Sequence, residues 1–170
     1  KTAPKKSSGG SSPEARLNAT IEAARKELVR RRQASGGMLT PELEGVLEAL
    51  GLVEERAEAS LKLWRQLQAK RAALGQRQRY RKFTHPRVMA QAVANVESAW
   101  KAWEAYRSAP YSALRYAKAV SDEYDLAMAK EVAGDNPDEQ ELAAIAALEK
   151  KAEESRAATD ATRHARRESA

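Results

Sequence analysis

The residues of this chain with the clearest capacity for chemistry are cations in its middle third. Between positions 65 and 96 the sequence carries eight Lys and Arg residues and no Asp or Glu. Such like charges repel one another unless counterions or a polyanion screen them. The guanidinium group matches two oxygens of a phosphate, and phosphate contacts dominate the affinity of proteins for nucleic acid. The basic run therefore predicts a contact with nucleic acid, with RNA preferred.

Aromatic side chains lie within the same run and fit a single-stranded partner. Tyr80 and Phe83 stand among the cations, and aromatic rings stack on unpaired RNA bases. Lys5 and Lys6, in a Ser- and Gly-rich N-terminal segment, would supply a second basic arm. The predicted nucleic-acid-binding residues are therefore Lys5, Lys6, Lys70, Arg71, Arg77, Arg79, Tyr80, Arg81, Lys82, Phe83 and Arg87.

Other interpretations of the basic run stay open at this point. The cations would be neutralised within the chain if they paired with the acidic segments 38–64 or 135–170. An anionic membrane surface or an acidic protein would also attract them. A helix that lies on a membrane carries bulky apolar residues opposite its cations, and residues 70–83 have few of these.

Residues with catalytic or metal-binding chemistry are scarce. The chain has two histidines and no cysteine, which excludes disulfides, thiolate metal sites and cysteine nucleophiles. His85 precedes a proline at a predicted turn, and His164 lies in a charged C-terminal segment. The sequence has no phosphate-loop, dinucleotide-binding or serine-hydrolase motif. We therefore predict no catalytic residue, no metal site, no cofactor and no small-molecule substrate.

The elements that must position the cations are predicted to be helices. Alanine accounts for 35 residues, whereas Leu, Ile, Val and Phe together number 26. Alanine is the best helix former, and β-branched residues are few, so the predicted class is all-α. So few large apolar residues predict either an extended helical array that completes its burial against a partner, or a small Ala-packed bundle. No apolar stretch approaches the roughly 18 residues of a membrane span.

Capping residues, prolines and glycines divide the chain into about six predicted helices. Ser12-Pro13 starts the first helix, Thr40-Pro41 starts the second, and Asn136 is the predicted cap of the last. Gly51 is expected to stop or bend the second helix, and the spacing of Leu17 and Leu28 predicts an apolar stripe on the first. The predicted organisation is a flexible basic tail at 1–12, a helical domain at 13–134 and a charged C-terminal helix at 135–170.

A row of aromatic residues marks the fourth predicted helix. Trp100, Trp103 and Tyr106 follow at intervals of three and therefore share one helix face. Such rings either form core or anchor a neighbouring subunit, since aromatic residues are enriched at interface centres. These three residues are the predicted protein interface.

Together these features predict a non-enzymatic structural or accessory subunit of a large assembly. The first hypothesis is a ribonucleoprotein, such as an organellar or specialised ribosome, with RNA on the central basic segment and other protein subunits on the acidic helices. The alternative is a helical peripheral subunit of a respiratory or ATP synthase complex that makes protein–protein contacts only. A free-standing coiled-coil adaptor is a third hypothesis. An organelle interior, mitochondrial or plastid, is the favoured compartment.

Overall fold

The computed structural model describes the backbone of residues 11–168 and the side chains of residues 11–163. Every regular element in this range is helical, which confirms the all-α class. No helix in it has an apolar stretch that would cross a bilayer. The elements, in chain order, are α1 (Pro13–Ala34), α2 (Pro41–Arg79), a 3-10 turn (Arg81–Phe83), α3 (Pro86–Tyr106), α4 (Ala109–Ala133) and α5 (Glu139–Glu168).

The prediction of about six helices was wrong because Gly51 does not interrupt α2. The second and third predicted helices form one helix of 39 residues. A glycine inside a helix costs about 1 kcal/mol relative to alanine. Leu50 and Val53, on either side of it, are both buried and continue one apolar stripe across the glycine. The packing of that stripe outweighs the local preference of the glycine.

Side-chain caps fix where the helices begin. Ser12 and Thr40 each accept a hydrogen bond from a backbone N–H three residues later, at 3.2 and 3.3 Å. The predicted cap of the last helix, Asn136, was wrong. Asp138 and Glu141 instead exchange side-chain-to-backbone bonds of 2.9 and 2.8 Å in a capping box.

Three helices form the body of the molecule: α1, the first half of α2, and α4. Leu28, Val53 and Ala117, one from each helix, belong to a single buried cluster. Helix α5 packs along α4. At that contact the buried Ser155 hydroxyl donates a hydrogen bond to the buried Asp122 carboxylate.

Helix α2 extends beyond this body. Glu14, at the start of α1, pairs with Arg65, so α1 begins beside that residue. The part of α2 from Arg65 to Arg79 is about 20 Å long at 1.5 Å per residue. Helix α3 packs on this part of α2. Helices α2 and α3 thus form a hairpin that projects past the body. We call residues 70–87 at its end the basic tip.

Candidate nucleic-acid interface

Tryptophan rings fix the base of the hairpin. The ring centroid of Trp103 lies 4.9 Å from that of Trp64 on α2 and 5.4 Å from that of Trp100. Leu67 beside them is fully buried. Aromatic pairs at such distances stabilise by about 0.5–1.5 kcal/mol beyond the area they bury. These contacts hold α3 against α2 and so set the direction of the tip.

The predicted protein-interface residues lie in this same base. Trp103 is buried, whereas Trp100 and Tyr106 are half-buried. The Trp103 ring packs against its own chain, so little of it is free to anchor a second subunit. Trp100 and Tyr106 keep accessible surface, and their role as an interface stays a prediction.

Backbone polar groups of the turn that joins α2 to α3 form hydrogen bonds within the turn itself. The Phe83 N–H and the Thr84 hydroxyl both donate to the Tyr80 carbonyl, at 2.9 and 3.0 Å. His85 Nδ1 accepts the Arg87 N–H at 3.1 Å and thereby caps α3. Because the backbone partners are internal, the tip is a defined turn from which the side chains of this segment face solvent.

The charges of the basic run are almost entirely unmatched within the described part of the chain. Arg65 pairs with Glu14 at 2.9 Å, and Arg71 lies over the Trp100 ring with its guanidinium carbon 5.1 Å from the ring centroid. Six exposed cations have no ion pair with a described carboxylate: Lys70, Arg77, Arg79, Arg81, Lys82 and Arg87. The described carboxylates of the acidic segments 38–64 and 135–170 therefore do not neutralise them.

Helix stability alone does not account for these cations. Arg77 and Arg79 lie in the last turn of α2, where a cation is favoured by the helix dipole. Arg87 lies in the first turn of α3, where a cation is disfavoured, and no acidic residue balances it in that turn. The tip thus holds charge that its own helices do not require.

A cleft between the two helices gathers part of this charge. It has a volume of about 310 Å³ and is lined by Lys70 and Arg77 from α2 and by Arg87, Gln91 and Asn95 from α3. The Gln91 amide donates to Asn95 Oδ1 at 3.0 Å. Cations with neighbouring amides are the groups that proteins use to contact phosphate and sugar. Sequence reasoning missed both amides, although their four-residue spacing on a helix beside the cations places them on one face.

The two aromatic residues of the tip are open to solvent. Tyr80 is 66% exposed and Phe83 is 89% exposed. Neither ring contributes to the core, so each offers a flat surface on which a base can stack.

Some residues that the sequence analysis singled out are not described by the structure. Lys5 and Lys6 lie outside the described residues, as does the side chain of His164. In the described range no group of His, Asp and Glu side chains could hold a metal ion. No protein family, curated protein or solved structure matches this chain.

Proposed function

We propose that this chain is a non-enzymatic accessory subunit of a ribonucleoprotein assembly and that the basic tip contacts RNA. The observation that carries the proposal is the set of six exposed cations without a described carboxylate partner, all at one end of a projecting hairpin. A polyanion screens such charges and releases its own counterions when it binds.

The arrangement of the basic tip, as well as its charge, favours a single-stranded or looped segment of RNA. The cleft at Lys70, Arg77 and Arg87 would hold phosphates, while Phe83 and Tyr80 at the turn would stack on splayed bases. A projecting hairpin reaches into a folded RNA, whereas the body remains outside and carries the protein contacts of the subunit.

The proposal is tested by removing charge from the tip and measuring binding to a short single-stranded oligoribonucleotide by fluorescence anisotropy. Arg77, Arg79, Arg81 and Lys82 are replaced together by glutamine. Each phosphate contact on a single strand contributes about 0.7 to the slope of log K against log salt, so the slope should fall by up to about 3. The affinity at low salt should fall at least about ten-fold.

A matched control loses the same charge from the body. Arg16, Lys26, Lys62 and Lys118 are exposed and unpaired with any described carboxylate. Their joint replacement by glutamine should leave most of the RNA affinity in place. Equal losses of RNA affinity in the two variants would mean that net charge, and not the position of the cations, determines binding. An absence of RNA binding by the unmodified chain would instead favour the subunit that contacts protein only.

A further inference from the structure

A second cationic site lies on the body, away from the basic tip. It is a pocket of about 220 Å³ where α5 packs along α4 beside α2. Each of these helices contributes one arginine: Arg56 from α2, Arg115 from α4 and Arg163 from α5. We call it the three-arginine pocket. The three residues are far apart in the sequence, so residue spacing does not reveal it.

The charge of this pocket is not balanced by the described part of the chain. No Asp or Glu lines it. None of its three arginines forms an ion pair with a described carboxylate, whereas Arg156 on the same α5 pairs with Glu123 at 2.7 Å. Three guanidinium groups around one small pocket raise the local concentration of anions.

One arginine N–H in the pocket is orphaned. The Nε atom of Arg115 is buried and has no hydrogen-bond partner in the part of the chain that the structure describes. Buried polar groups are normally satisfied, and leaving one without a partner costs about 1–3 kcal/mol. The hydroxyls of Thr159 and Thr162 donate to carbonyls of their own helix, each at 2.9 Å. These two hydroxyls are therefore engaged within α5, and the guanidinium groups are the charged donors that the pocket offers to a ligand.

We propose that the three-arginine pocket binds a phosphate group, as inorganic phosphate or on a small phosphomonoester. Guanidinium groups bind such oxyanions through paired, charge-assisted hydrogen bonds. The volume lies below the roughly 300–1,000 Å³ of sites for larger ligands, which fits a phosphate with a few further atoms. Leu52 and Tyr116 supply an apolar wall for the ester substituent. Because it uses different residues, this site stands apart from the RNA contact.

The experiment is isothermal titration of the full chain with inorganic phosphate and, separately, with glycerol phosphate, at constant ionic strength. Both ligands should bind with a stoichiometry of one. The double variant R56Q/R163Q should bind at least about ten-fold more weakly, because two charged donors are lost. It should fold normally, since neither residue has an ion-pair partner among the described residues, and circular dichroism checks this. Tighter binding of the ester than of inorganic phosphate would identify the source as a phosphomonoester, and the reverse order as free phosphate.

The matched control removes the same charge from the body, at two exposed arginines outside this pocket, as R16Q/R32Q. This variant should bind phosphate as tightly as the unmodified chain. The proposal is overturned if neither ligand binds, or if the two double variants lose affinity equally. The thermal midpoint gives a second readout, because a ligand bound to the folded state alone raises it. That rise should be absent in R56Q/R163Q and present in R16Q/R32Q.

Discussion

Arginines of the body and arginines of the basic tip have different partners. In the body, Arg25 on α1 binds Glu58 on α2 at 2.6 Å, and Arg31 binds Asp125 on α4 at 2.7 Å. At the tip, Arg81 and its neighbours have no described carboxylate to bind. Arg25 and Arg31 therefore join helices of the body to one another, whereas the tip arginines remain available to a polyanion. The same residue type joins helices at these positions of the body and is left without a described carboxylate partner at the tip.

The distribution of buried side chains follows the same division. Val46 and Val53 in the body are completely buried, whereas no residue of the basic tip is buried. Substitutions should consequently separate into two classes, one that changes folding and one that changes binding. The expected effects that follow run from the largest to the smallest.

Truncation of a core leucine should give the largest loss of stability. Leu50 is 6% exposed and belongs to the central cluster of the body. Leu50→Ala should lower the free energy of unfolding by about 2–5 kcal/mol, through lost burial and the cavity left behind. Phe83→Ala at the tip should change it by less than about 0.5 kcal/mol. Urea denaturation measures both variants, and a comparable loss from Phe83→Ala would show that the tip is part of the core.

Removal of the buried body arginine should have the next largest effect. The guanidinium of Arg31 is 7% exposed, donates to Asp125 and Glu27, and lies over the Tyr124 ring. Arg31→Leu should cost about 2 kcal/mol, because hydrogen bonds between charged groups are lost. Arg32 is its exposed neighbour and pairs with no described carboxylate, so Arg32→Leu should cost less than about 0.5 kcal/mol. Equal costs in denaturation would contradict a bridging role for Arg31.

The same cluster predicts a pH dependence of stability. Hydrogen bonds from Arg30, and then from Arg31, lower the pKa of Glu27 from 4.5 to about 2, against the opposing effect of its partial burial. Because the folded pKa is the lower one, this carboxylate stabilises the fold above pH 4.5 and the contribution is lost as the pH falls towards 2. Thermal unfolding of Glu27→Gln should therefore vary less over that window than that of the unmodified chain. If the pH profiles of thermal unfolding were the same for Glu27→Gln and for the unmodified chain, the Glu27 carboxylate would make no such contribution to stability.

The smallest effects should come from Arg65, the one cation of the basic run with an acidic partner among the described residues. Arg65 and Glu14 are both largely exposed, so Glu14→Gln should reduce stability by less than about 1 kcal/mol. Arg65→Gln should leave RNA affinity nearly unchanged, whereas Arg81→Gln should weaken it. Anisotropy titrations compare the two, and equal losses would mean that the RNA surface extends to the body.

Local signals in the sequence predicted much of this fold. Ser12 and Thr40 caps, and the stripe that includes Leu17 and Leu28, all act within a few residues, and they lie where expected. Gly51 was misjudged because the cost of a glycine is local, whereas the packing that overrides it comes from other helices. Packing between helices therefore keeps α2 continuous across Gly51.

The candidate sites also differ in how far the sequence alone could predict them. The basic tip was predictable because its cations are neighbours in the sequence. Gln91 and Asn95 were missed because amides carry no charge and come from the facing helix. The pocket formed by Arg56, Arg115 and Arg163 was hidden, since only the folded chain brings those residues together.

The central claim is that cations of the tip, and not those of the body, meet RNA. Arginine side-chain Nε–Hε resonances of the isotope-labelled chain report this directly during titration with a short single-stranded oligoribonucleotide. The signals of Arg77, Arg79 and Arg81 should shift, while those of Arg25 and Arg31 should stay in place. Shifts centred on the body arginines, or none at the tip, would contradict the account.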